Sequence, residues 1–362
     1  MKEGWKYKRF EDVLEKVKYT KKLQTNEFLS EGRVPIISQE EDYISGFWNN
    51  PDDAYKVEKP IVIFGDHSRV IKYVDFDFVL GADGVKILKP IESLNAKFLY
   101  HYLKWYNVPN MGYSRHYKFL KEINMPVPPL KEQQQIVSEL DLLSGVIEKQ
   151  KAQLEELDRL AQSIFYDMFG DPVTNDKDWK SDELAKVAPQ KESDNKVPDL
   201  NGKSWVLNLD MVQSNTGEII KKVYFGENEI GNSTIVFDKE NVLYSKLRPY
   251  LNKVVLPYET GYGTSELVPL RPNKQFLNRI FLAYILRSKQ FVEFISIKVQ
   301  GAKMPRVSMN SLRGFYVILP PLSLQQEFAA KVEAIEAMKA KVRQSLKEAE
   351  TLFNERMDYY FN

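Results

Sequence analysis

The sequence has no cysteine and only three histidines among its 362 residues. The missing cysteines exclude disulfide bonds, thiolate nucleophiles and every zinc or iron–sulfur site that needs sulfur ligands. The histidines are His67, His101 and His116, and no two of them have the spacing of metal ligands. No run of about 18 uncharged apolar residues occurs, and the first residues lack an apolar segment of signal-peptide length, so neither membrane insertion nor export is predicted. We therefore expect a cytoplasmic protein.

The motifs of enzymes that act on DNA are missing as well. The Asn/Asp-Pro-Pro-aromatic loop of DNA amino-methyltransferases is absent, since Pro-Pro occurs only in Val-Pro-Pro-Leu and Leu-Pro-Pro-Leu. No Asp/Glu-x-Lys motif of metal-dependent nucleases follows closely after Pro51-Asp52 or Pro198-Asp199, and there is no phosphate-binding loop. Asp66-His67-Ser68 contains catalytic residue types, but adjacent residues cannot reach one another as a triad does, so a turn is predicted there. The sequence predicts no catalysis by this chain alone.

Composition and length indicate a folded protein of more than one domain. Hydrophobic residues make up 43% and charged residues 28% of the chain, which excludes a disordered or collagen-like protein. At roughly 100–200 residues per domain, the length predicts two to three domains. The net charge of +1 is unevenly distributed: it is +2 for 1–127, −5 for 128–177, +5 for 178–319 and −1 for 320–362. Two basic segments therefore alternate with two acidic ones.

The chain contains an internal repeat. PPLKEQQQIVSELDLL from Pro128 aligns with PPLSLQQEFAAKVEAI from Pro320, and the shift of 192 residues carries the match without a gap to Phe169 and Phe361. The identical pairs include Pro128/Pro320, Pro129/Pro321, Leu130/Leu322, Gln133/Gln325, Gln134/Gln326, Leu154/Leu346 and Leu160/Leu352. Upstream, SLNAKFLYHYLK aligns with FLNRIFLAYILR, and LGADGVKILKP aligns with YGTSELVPLRP. We infer a tandem duplication of a mixed domain of about 130–140 residues with a tail of roughly 40.

Both tails have the periodicity of coiled-coil helices, with apolar residues at alternating steps of four and three. The first seam is Ile136, Leu140, Leu143, Ile147, Gln150, Leu154, Leu157, Ala161, Ile164 and Met168, and the second is Phe328, Val332, Ile335, Lys339, Val342, Leu346, Ala349, Phe353, Arg356 and Tyr360. Pro-Pro suits the first turn of each helix, and Gly170 is expected to end the first one. A single stripe of this kind is more often ordinary core. Two stripes in the same phase predict that the helices pair with each other.

The segments before the tails predict mixed secondary structure. Strands are predicted for VPIIS, PIVIFG, KYVDFDFVLG, SWVLNLD, NVLYSKL and NKVVLP, which lie between Gly, Pro and Asn turns. Apolar residues at steps of three and four predict helices near 95–106 and 277–296. The predicted fold class is α+β, with two homologous domains separated and bridged by two long helices.

Basic residues interleaved with aromatic residues recur at the predicted turns, where a scaffold presents contacts to DNA. In the first half these residues are Arg69, Lys72, Tyr113, Arg115, His116 and Lys118, and in the second half they are Lys246, Arg248, Tyr250, Asn252, Lys253, Lys303 and Arg306. Arginine can bind guanine with two hydrogen bonds, asparagine can pair with adenine, and lysine can hold phosphates. Any one of these residues alone is more often an ordinary surface charge, so their recurrence at turns is the basis of the DNA-binding hypothesis.

The whole chain resembles the specificity subunit of type I restriction-modification systems. YSKLRPYLNK, GTSELVPLRP and GAKMPRVSMNSLRGFYVILPPLSLQQ resemble the body and end of a target-recognition domain, and PPLKEQQQIV resembles the start of the central helix. The second half carries the more specific resemblance, whereas GDHSRVIKYVDFDFVLGADGVKIL in the first half has diverged from it. Gly112-Tyr113-Ser114-Arg115 stands where Lys303-Met304-Pro305-Arg306 does, without the proline.

The resemblance implies target-recognition domains at 1–127 and 171–319, a central helix at 128–170 and a distal helix at 320–362. Each domain would read one half of a split, asymmetric site in double-stranded DNA. The domains would be related by a pseudo-two-fold axis, and the helices would form an antiparallel coiled coil that sets the spacer.

The resemblance also implies partners. Two modification subunits would dock on the helices and domains, and restriction subunits that act as motor and nuclease would join them. S-adenosylmethionine, ATP and magnesium are expected on those partners and no cofactor on this chain. The alternative function is a coiled-coil scaffold that assembles other proteins without binding DNA.

Overall fold

The computed structural model describes residues 4–81, 84–112, 114–226, 229–231 and 234–362. The chain packs into two compact units: the first comprises 1–151 with 344–362, and the second comprises 152–343. This grouping follows packing alone, so the recognition-domain boundaries given above stay predictions. The fold is a mixture of helices and sheets, in agreement with the predicted α+β class.

The first unit is built from short strands and two short helices. The strands are β1 (Lys6–Arg9), β2 (Leu14–Glu15), β3 (Lys22–Leu23), β4 (Val34–Ile37), β5 (Gly46–Trp48), β6 (Ile61–Gly65), β7 (Ile71–Val74), β8 (Val79–Gly81), β9 (Val85–Pro90) and β10 (Asn124–Val127), and the helices are α1 (Ala96–Tyr106) and α2 (Tyr117–Lys121). They form one sheet of order β2-β9-β6-β7, one of order β3-β8-β4-β5, and the antiparallel pair β1-β10. α1 packs on the first of these sheets through Phe98, Leu99, Tyr102 and Leu103, which are buried with Val62 and Phe64 of β6.

The second unit has the same kinds of element. Its strands are β11 (Ser181–Glu183), β12 (Lys203–Leu207), β13 (Tyr224–Gly226), β14 (Thr234–Phe237), β15 (Val242–Ser245), β16 (Val254–Val255), β17 (Gly261–Thr264), β18 (Leu267–Leu270), β19 (Val299–Gln300), β20 (Arg306–Val307) and β21 (Tyr316–Ile318), and its short helices are α4 (Leu184–Val187), α5 (Arg279–Arg287), α6 (Lys289–Ser296) and α7 (Met309–Arg313). The sheets have the orders β13-β12-β17-β14 and β16-β15-β18, with the pairs β11-β21 and β19-β20.

Two long helices have residues in both units. The first, α3, covers Leu130–Phe169, and the second, α8, covers Leu322–Phe361, so each has 40 residues. Each begins directly after its Pro-Pro pair, as the sequence predicts. Gly170, with φ of 75°, follows α3, and its N–H donates to the carbonyl of Tyr166 at 2.9 Å. The predicted glycine end of this helix is confirmed.

Within the first unit, α3 and α8 run antiparallel. Lys151 Nζ lies 2.9 Å from a carboxylate oxygen of Glu350, while Glu139, earlier in α3, binds the guanidinium of Arg356, later in α8. Near the middle of α3, Gln150 Nε2 donates to Ser345 Oγ at 2.6 Å. Burial in this segment is most complete near one end, where Ile136 and Leu140 of α3 are buried together with Met357 and Phe361 of α8. Met357 and Phe361 each lie one residue after the predicted seam positions Arg356 and Tyr360.

In the second unit the buried side of α3 differs from the predicted seam by one residue. Phe165 and Phe169 are fully buried, whereas Ile164 and Met168 are only partly buried. The reason is that Phe165 and Phe169 pack between Phe281 of α5 and Phe328 of α8. Burial is therefore greatest where α3 meets both the globular part and α8.

One seam position of α8 in the second unit is charged. Lys339 is only 3% exposed, and its Nζ lies 2.6 Å from Asp158 Oδ1 on α3 and 2.8 Å from Glu336 Oε1. A buried ammonium group is tolerated only when it is paired in this way. The polar seam position Lys339 of the second tail thus forms an ion pair between the two helices.

Two elements predicted as single are divided. The run from 277 to 296 forms α5 and α6, because the hydroxyl of Ser288 accepts a hydrogen bond from Phe291 N–H and caps a new helix. The run KYVDFDFVLG forms β7 and β8 in different sheets, and Asp77 between them accepts a hydrogen bond from the N–H of Val57 at 2.9 Å. Among the described residues, no helix has the length and apolar character needed to span a membrane.

Candidate nucleic-acid interface

The second unit places an arginine at a sharp turn after a buried strand. β15 ends at Ser245, and the chain returns to β16 through a 3-10 helix, Pro249–Leu251. Arg248 and Asn252, on either side of this helix, both have φ of 49°. The left-handed region is uncommon for residues with a β-carbon, and residues held there cluster at functional sites. The turn therefore has a defined shape that presents the side chain of Arg248 to solvent.

Backbone hydrogen bonds join this turn to the loop between β19 and β20. The N–H of Arg248 donates to the carbonyl of Pro305 at 2.8 Å, and the N–H of Val307 donates to the carbonyl of Lys246 at 2.9 Å. Leu247 forms an isolated antiparallel bridge with Arg306. The structure thus brings together two basic segments, 246–253 and 303–306, that lie about fifty positions apart in the chain.

Four predicted site residues remain accessible on this joined surface. Arg248, Tyr250 and Lys303 are exposed, and Lys246 is half-buried. Three of them, Lys246, Arg248 and Lys303, are basic side chains for which no ion pair is found among the described residues. Exposed basic groups next to an exposed aromatic ring are the combination that binds phosphates and bases.

Three other predicted site residues of this unit form hydrogen bonds to other groups of the protein. Lys253 Nζ donates to a backbone carbonyl at 2.6 Å. Asn252 is buried, and its Nδ2 donates to the carbonyl of the last residue of α5 at 2.9 Å. The guanidinium of Arg306 binds the carboxylate of Glu266 through Nε at 2.9 Å and Nη2 at 2.7 Å.

The first unit has a similar turn between β6 and β7. Arg69 has φ of 64°, its N–H donates to the carbonyl of Gly65 at 2.8 Å, and its Nη1 donates to the carbonyl of Val108 at 3.0 Å. Its side chain is half-buried. Asp66, His67 and Ser68 form the turn itself, which confirms the prediction of a turn instead of a catalytic triad.

His116 joins this turn to the segment before α2. Its N–H donates to the carbonyl of Asp66 at 2.7 Å, and its ring Nδ1 lies 3.0 Å from the same oxygen. Asp66 Oδ1 in turn accepts a hydrogen bond from the N–H of Tyr117 at 2.8 Å. As in the second unit, a strand-connecting turn is fixed to a later basic segment by backbone hydrogen bonds. Arg115 and Lys118 of that segment are exposed, while Tyr113 lies outside the described residues.

Burial corrects three of the predicted DNA contacts. Lys72 is 4% exposed, His116 is fully buried, and Asn252 is buried as well. Lys72 Nζ donates to the carbonyls of Ser38 at 3.0 Å and Asp42 at 2.6 Å. Burial lowers the pKa of Lys72, although the charge of Asp42 opposes this shift. These side chains hold the turns in shape from within and do not reach the surface.

The sequence analysis missed two acidic residues that organise these surfaces. Glu266 and Asp66 each fix a basic segment to a neighbouring strand connection, and neither has a local motif that would reveal this. Among the described residues, no group of three or more histidine, aspartate or glutamate side chains could hold a metal ion.

Comparison with known proteins finds a family model that matches the first part of the chain. Residues 2–159 match the family model of the type I restriction modification DNA specificity domain. This part of the chain is similar to type I DNA specificity domains. The resemblance stated from the sequence is thereby confirmed, and the matched residues fall in the half whose resemblance we considered less specific.

Relatives of this specificity domain include the specificity subunit of the type I restriction enzyme EcoDI of Escherichia coli. It is 23% identical over 164 residues, which are 45% of this chain and 35% of the relative. The aligned region thus spans about a third of that relative's length.

Solved structures agree with the fold over nearly the whole chain. The type I restriction-modification S subunit from M. genitalium is 14% identical, with a TM-score of 0.61, and 99% of this chain and 96% of that chain are covered. A chain from a structure on complex assembly and conformational transition of the type I system is 16% identical, with a TM-score of 0.53, and 99% and 97% are covered. At these identities the likeness shows the fold.

Proposed function

We propose that this chain is the sequence-specific DNA-binding subunit of a type I restriction-modification complex. The observation that carries the proposal is the joined surface of the second unit, where two distant basic segments are hydrogen-bonded together and leave Arg248 and Lys303 exposed. A rigid backbone that presents arginine and lysine at turns suits base and phosphate recognition. The match of residues 2–159 to the model of the type I DNA specificity domain supports the same function for the first unit.

Each unit would read one half of a split DNA site. The support is that both units contain a strand-connecting turn with a left-handed arginine, Arg69 or Arg248, tied to a later basic segment. The side chains at these surfaces differ between the units, as expected if the two half-sites differ in sequence. The pseudo-two-fold relation and an antiparallel coiled coil over the full length of the helices belong to this proposal.

The long helices would dock the modification subunits. In the first unit Leu142 and Val146 of α3 and Leu352 and Tyr359 of α8 are exposed. Each directly precedes a seam position, so on each helix the exposed apolar residues flank the seam. Exposed apolar surface of this kind marks protein–protein contacts. Docking there would also cover the part of the helix pair that is incompletely buried.

The chemistry would be carried by the partners. S-adenosylmethionine would bind the modification subunits, and ATP and magnesium would bind the restriction subunits, while this chain supplies the DNA address and no catalytic group. Such a complex would act in the cytoplasm, where its DNA is found. Sequence-specific DNA binding is the property that distinguishes the proposed function from that of a scaffold.

The test is a binding titration of the full chain with its modification subunits on a cognate and a scrambled duplex, the cognate site being selected from random DNA. Arg248→Ala should weaken cognate binding by about 1–3 kcal/mol and relax one base position. Alanine keeps the β-carbon, so the left-handed turn is not relieved of strain by this change. Arg248→Lys should keep phosphate-strength binding but lose the base preference.

Lys239→Ala is the matched control, because Lys239 is an exposed cation of the same unit outside the joined surface. Its loss should be small and equal on both duplexes. Equal, small losses for Arg248→Ala and Lys239→Ala would contradict the assignment of this surface. A folded wild-type chain with no preference for any DNA sequence would favour the scaffold alternative.

A further inference from the structure

One edge of the Arg306 guanidinium is bound by the carboxylate of Glu266. Its Nε lies 2.9 and 3.2 Å from the two oxygens of Glu266, and its Nη2 lies 2.7 Å from Oε1. Its Nη1 is directed to the carbonyl of Met304 at 3.4 Å. Arginine uses this same fork of donors to bind guanine. The side-on pair of donors, Nε and Nη2, is therefore occupied by Glu266 and is not available to a base.

Glu266 is fixed to the core of the second unit. It directly precedes β18, whose four residues are buried, and its carbonyl accepts a hydrogen bond from Lys246 N–H at 3.0 Å. Its side chain is only 21% exposed, compared with 42% for Arg306. The carboxylate is therefore an anchor on the sheet, and Arg306 attaches the end of the β19–β20 loop to it.

The loop between β19 and β20 is held at both ends and free at its tip. Gly301 begins the loop with φ of 92°, and the carbonyl of Pro305 accepts a hydrogen bond from Arg248. Between them, Lys303 and Met304 are exposed. Neither side chain has a hydrogen bond or ion pair within the part of the chain that the structure describes.

An exposed methionine beside an exposed lysine suits the edge of a DNA groove. A lysine ammonium group binds phosphates as a point charge. A methionine side chain is flexible and polarisable, so it fits irregular apolar surfaces such as the edge that a thymine methyl presents in the major groove. Met304 is 48% exposed, so part of it is open to an external surface of this chemistry.

We propose that Arg306 and Glu266 are positioning residues that clamp the 301–305 loop, and that Lys303 and Met304 of this loop contact the DNA. Lys303 binds a phosphate, and Met304 contacts the groove edge of one base pair. This inference rests on the proposed DNA-binding function and assigns its contacts in the second unit. It also changes the role of Arg306 from a base-reading residue to a structural support.

The experiment compares Arg306→Ala, Glu266→Ala and the double variant in the full chain with its modification subunits, on the selected cognate duplex and a scrambled one. The quantity measured is the ratio of cognate to scrambled affinity, because removing the Glu266 carboxylate raises binding to any DNA. Each single variant should lower this ratio on the order of tenfold, the scale of a lost charged hydrogen bond. The double variant should lower it no further, since both changes break one clamp.

Lys303→Ala and Met304→Ala test the contacts themselves. Lys303→Ala should weaken both duplexes alike and reduce the slope of log affinity against log salt by about one. Met304→Ala should weaken only the cognate duplex and relax the preference at one base pair. Thermal unfolding of each variant should match the wild type, because Lys303 and Met304 are exposed.

Three outcomes would overturn the proposal. In the first, Arg306→Ala relaxes the preference at one base position while Glu266→Ala raises the ratio of cognate to scrambled affinity. This combination would show that Arg306 reads the base. Additive losses in the double variant would show two separate contacts. If the wild type binds specifically and the Lys303→Ala and Met304→Ala variants bind equally well, the loop assignment alone is refuted. If the wild type shows no specific binding, the proposed function itself is refuted.

Discussion

Gln133 Oε1 accepts a hydrogen bond from the backbone N–H of Asn95 at 2.7 Å, and Gln325 Oε1 accepts the same bond from Asn278 at 2.9 Å. Asn95 and Asn278 are the N-caps of α1 and α5. The side chain of each accepts hydrogen bonds from backbone N–H groups in the first turn of its helix. A single glutamine in each unit therefore links the first turn of a long helix to the first turn of a short one.

The amide nitrogens of the two glutamines complete this link. Gln133 Nε2 donates to the carbonyls of Ser93 at 2.9 Å and Pro128 at 2.7 Å. In the second unit Gln325 Nε2 donates to the equivalent two carbonyls at 2.9 and 2.8 Å. Both glutamines are fully buried. Three hydrogen bonds from one side chain thus fix the proline pair and the globular part of each unit to the helix.

Gln133→Met should destabilise the first unit. Methionine has a similar volume but cannot replace the bonds, and each buried backbone group left unpaired costs about 1–3 kcal/mol. Chemical denaturation should therefore show a large loss in the free energy of unfolding. Gln134→Met is the matched control, because Gln134 is repeated in the second tail in the same way but is exposed. Equal stability of the two variants would contradict this role of Gln133.

The stability of the first unit should fall on mild acidification because of His101. Burial lowers the pKa of His101, and the hydrogen bond to Asp141 at 3.0 Å opposes this shift without cancelling it. The unfolded chain has an ordinary histidine pKa of about 6.5, so below that pH it binds a proton that the folded chain binds only at lower pH. The contribution of neutral His101 to the free energy of unfolding is therefore complete above about pH 6.5. It is lost as the pH falls from there through the lower pKa of His101 in the folded chain.

Asp141 acts in a separate, more acidic range. Burial would raise its pKa, but the hydrogen bonds from Lys97 and His101 outweigh burial and lower it. Its contribution is lost only as the pH falls below the ordinary aspartate value of about 3.9. His101→Tyr, which introduces the residue found at the matching position of α5, should flatten the decline in unfolding free energy between pH 7 and 5. An unchanged decline in that variant would assign the effect to other groups.

The length of α3 should set the gap between the two half-sites. Its 40 residues extend about 60 Å at 1.5 Å per residue. Four residues inserted after Gln150 add about 6 Å, close to two base pairs at 3.4 Å each. Methylome sequencing should show the same half-sites with a longer gap. Methylation activity should fall, since four added residues shift the heptad phase of α3 relative to α8.

An insertion of seven residues at the same place keeps the heptad phase and serves as the matched variant. It should retain more activity and lengthen the gap further. Four residues inserted after Gly202, in an exposed turn with open space around it, should leave the gap unchanged. Retention of the original gap with full activity after both helix insertions would show that these helices do not set the distance.

Local signals explain what the sequence predicted correctly. The ends of α3 were predicted within two residues because Pro128-Pro129 and Gly170 mark helix ends by backbone geometry alone. The predicted strands that match β4, β6, β12, β15 and β16 were found as short apolar runs between turns. The division at Ser288 was missed because one hydroxyl within a continuous helical pattern gives no signal until it caps the second helix.

Side-chain roles depend on distant contacts and could not be predicted. Lys72 and His116 look like surface residues in a basic sequence, but their partners lie 34 and 50 positions away. Arg306 finds its carboxylate 40 residues earlier in the chain. The repeat contains two adjacent glutamine pairs, and only burial shows that Gln133 and Gln325 are the ones that hold the fold.

The central claim is that each unit reads its own half of a split DNA site. The most direct measurement is methylome sequencing of cells that carry a chimera, in which residues 178–319 are replaced by the equivalent segment of another specificity subunit. The claim predicts that one half of the methylated motif changes to that of the donor while the other half and the gap stay the same. A change in both halves, or an unchanged motif, from a chimera that folds and methylates would contradict it.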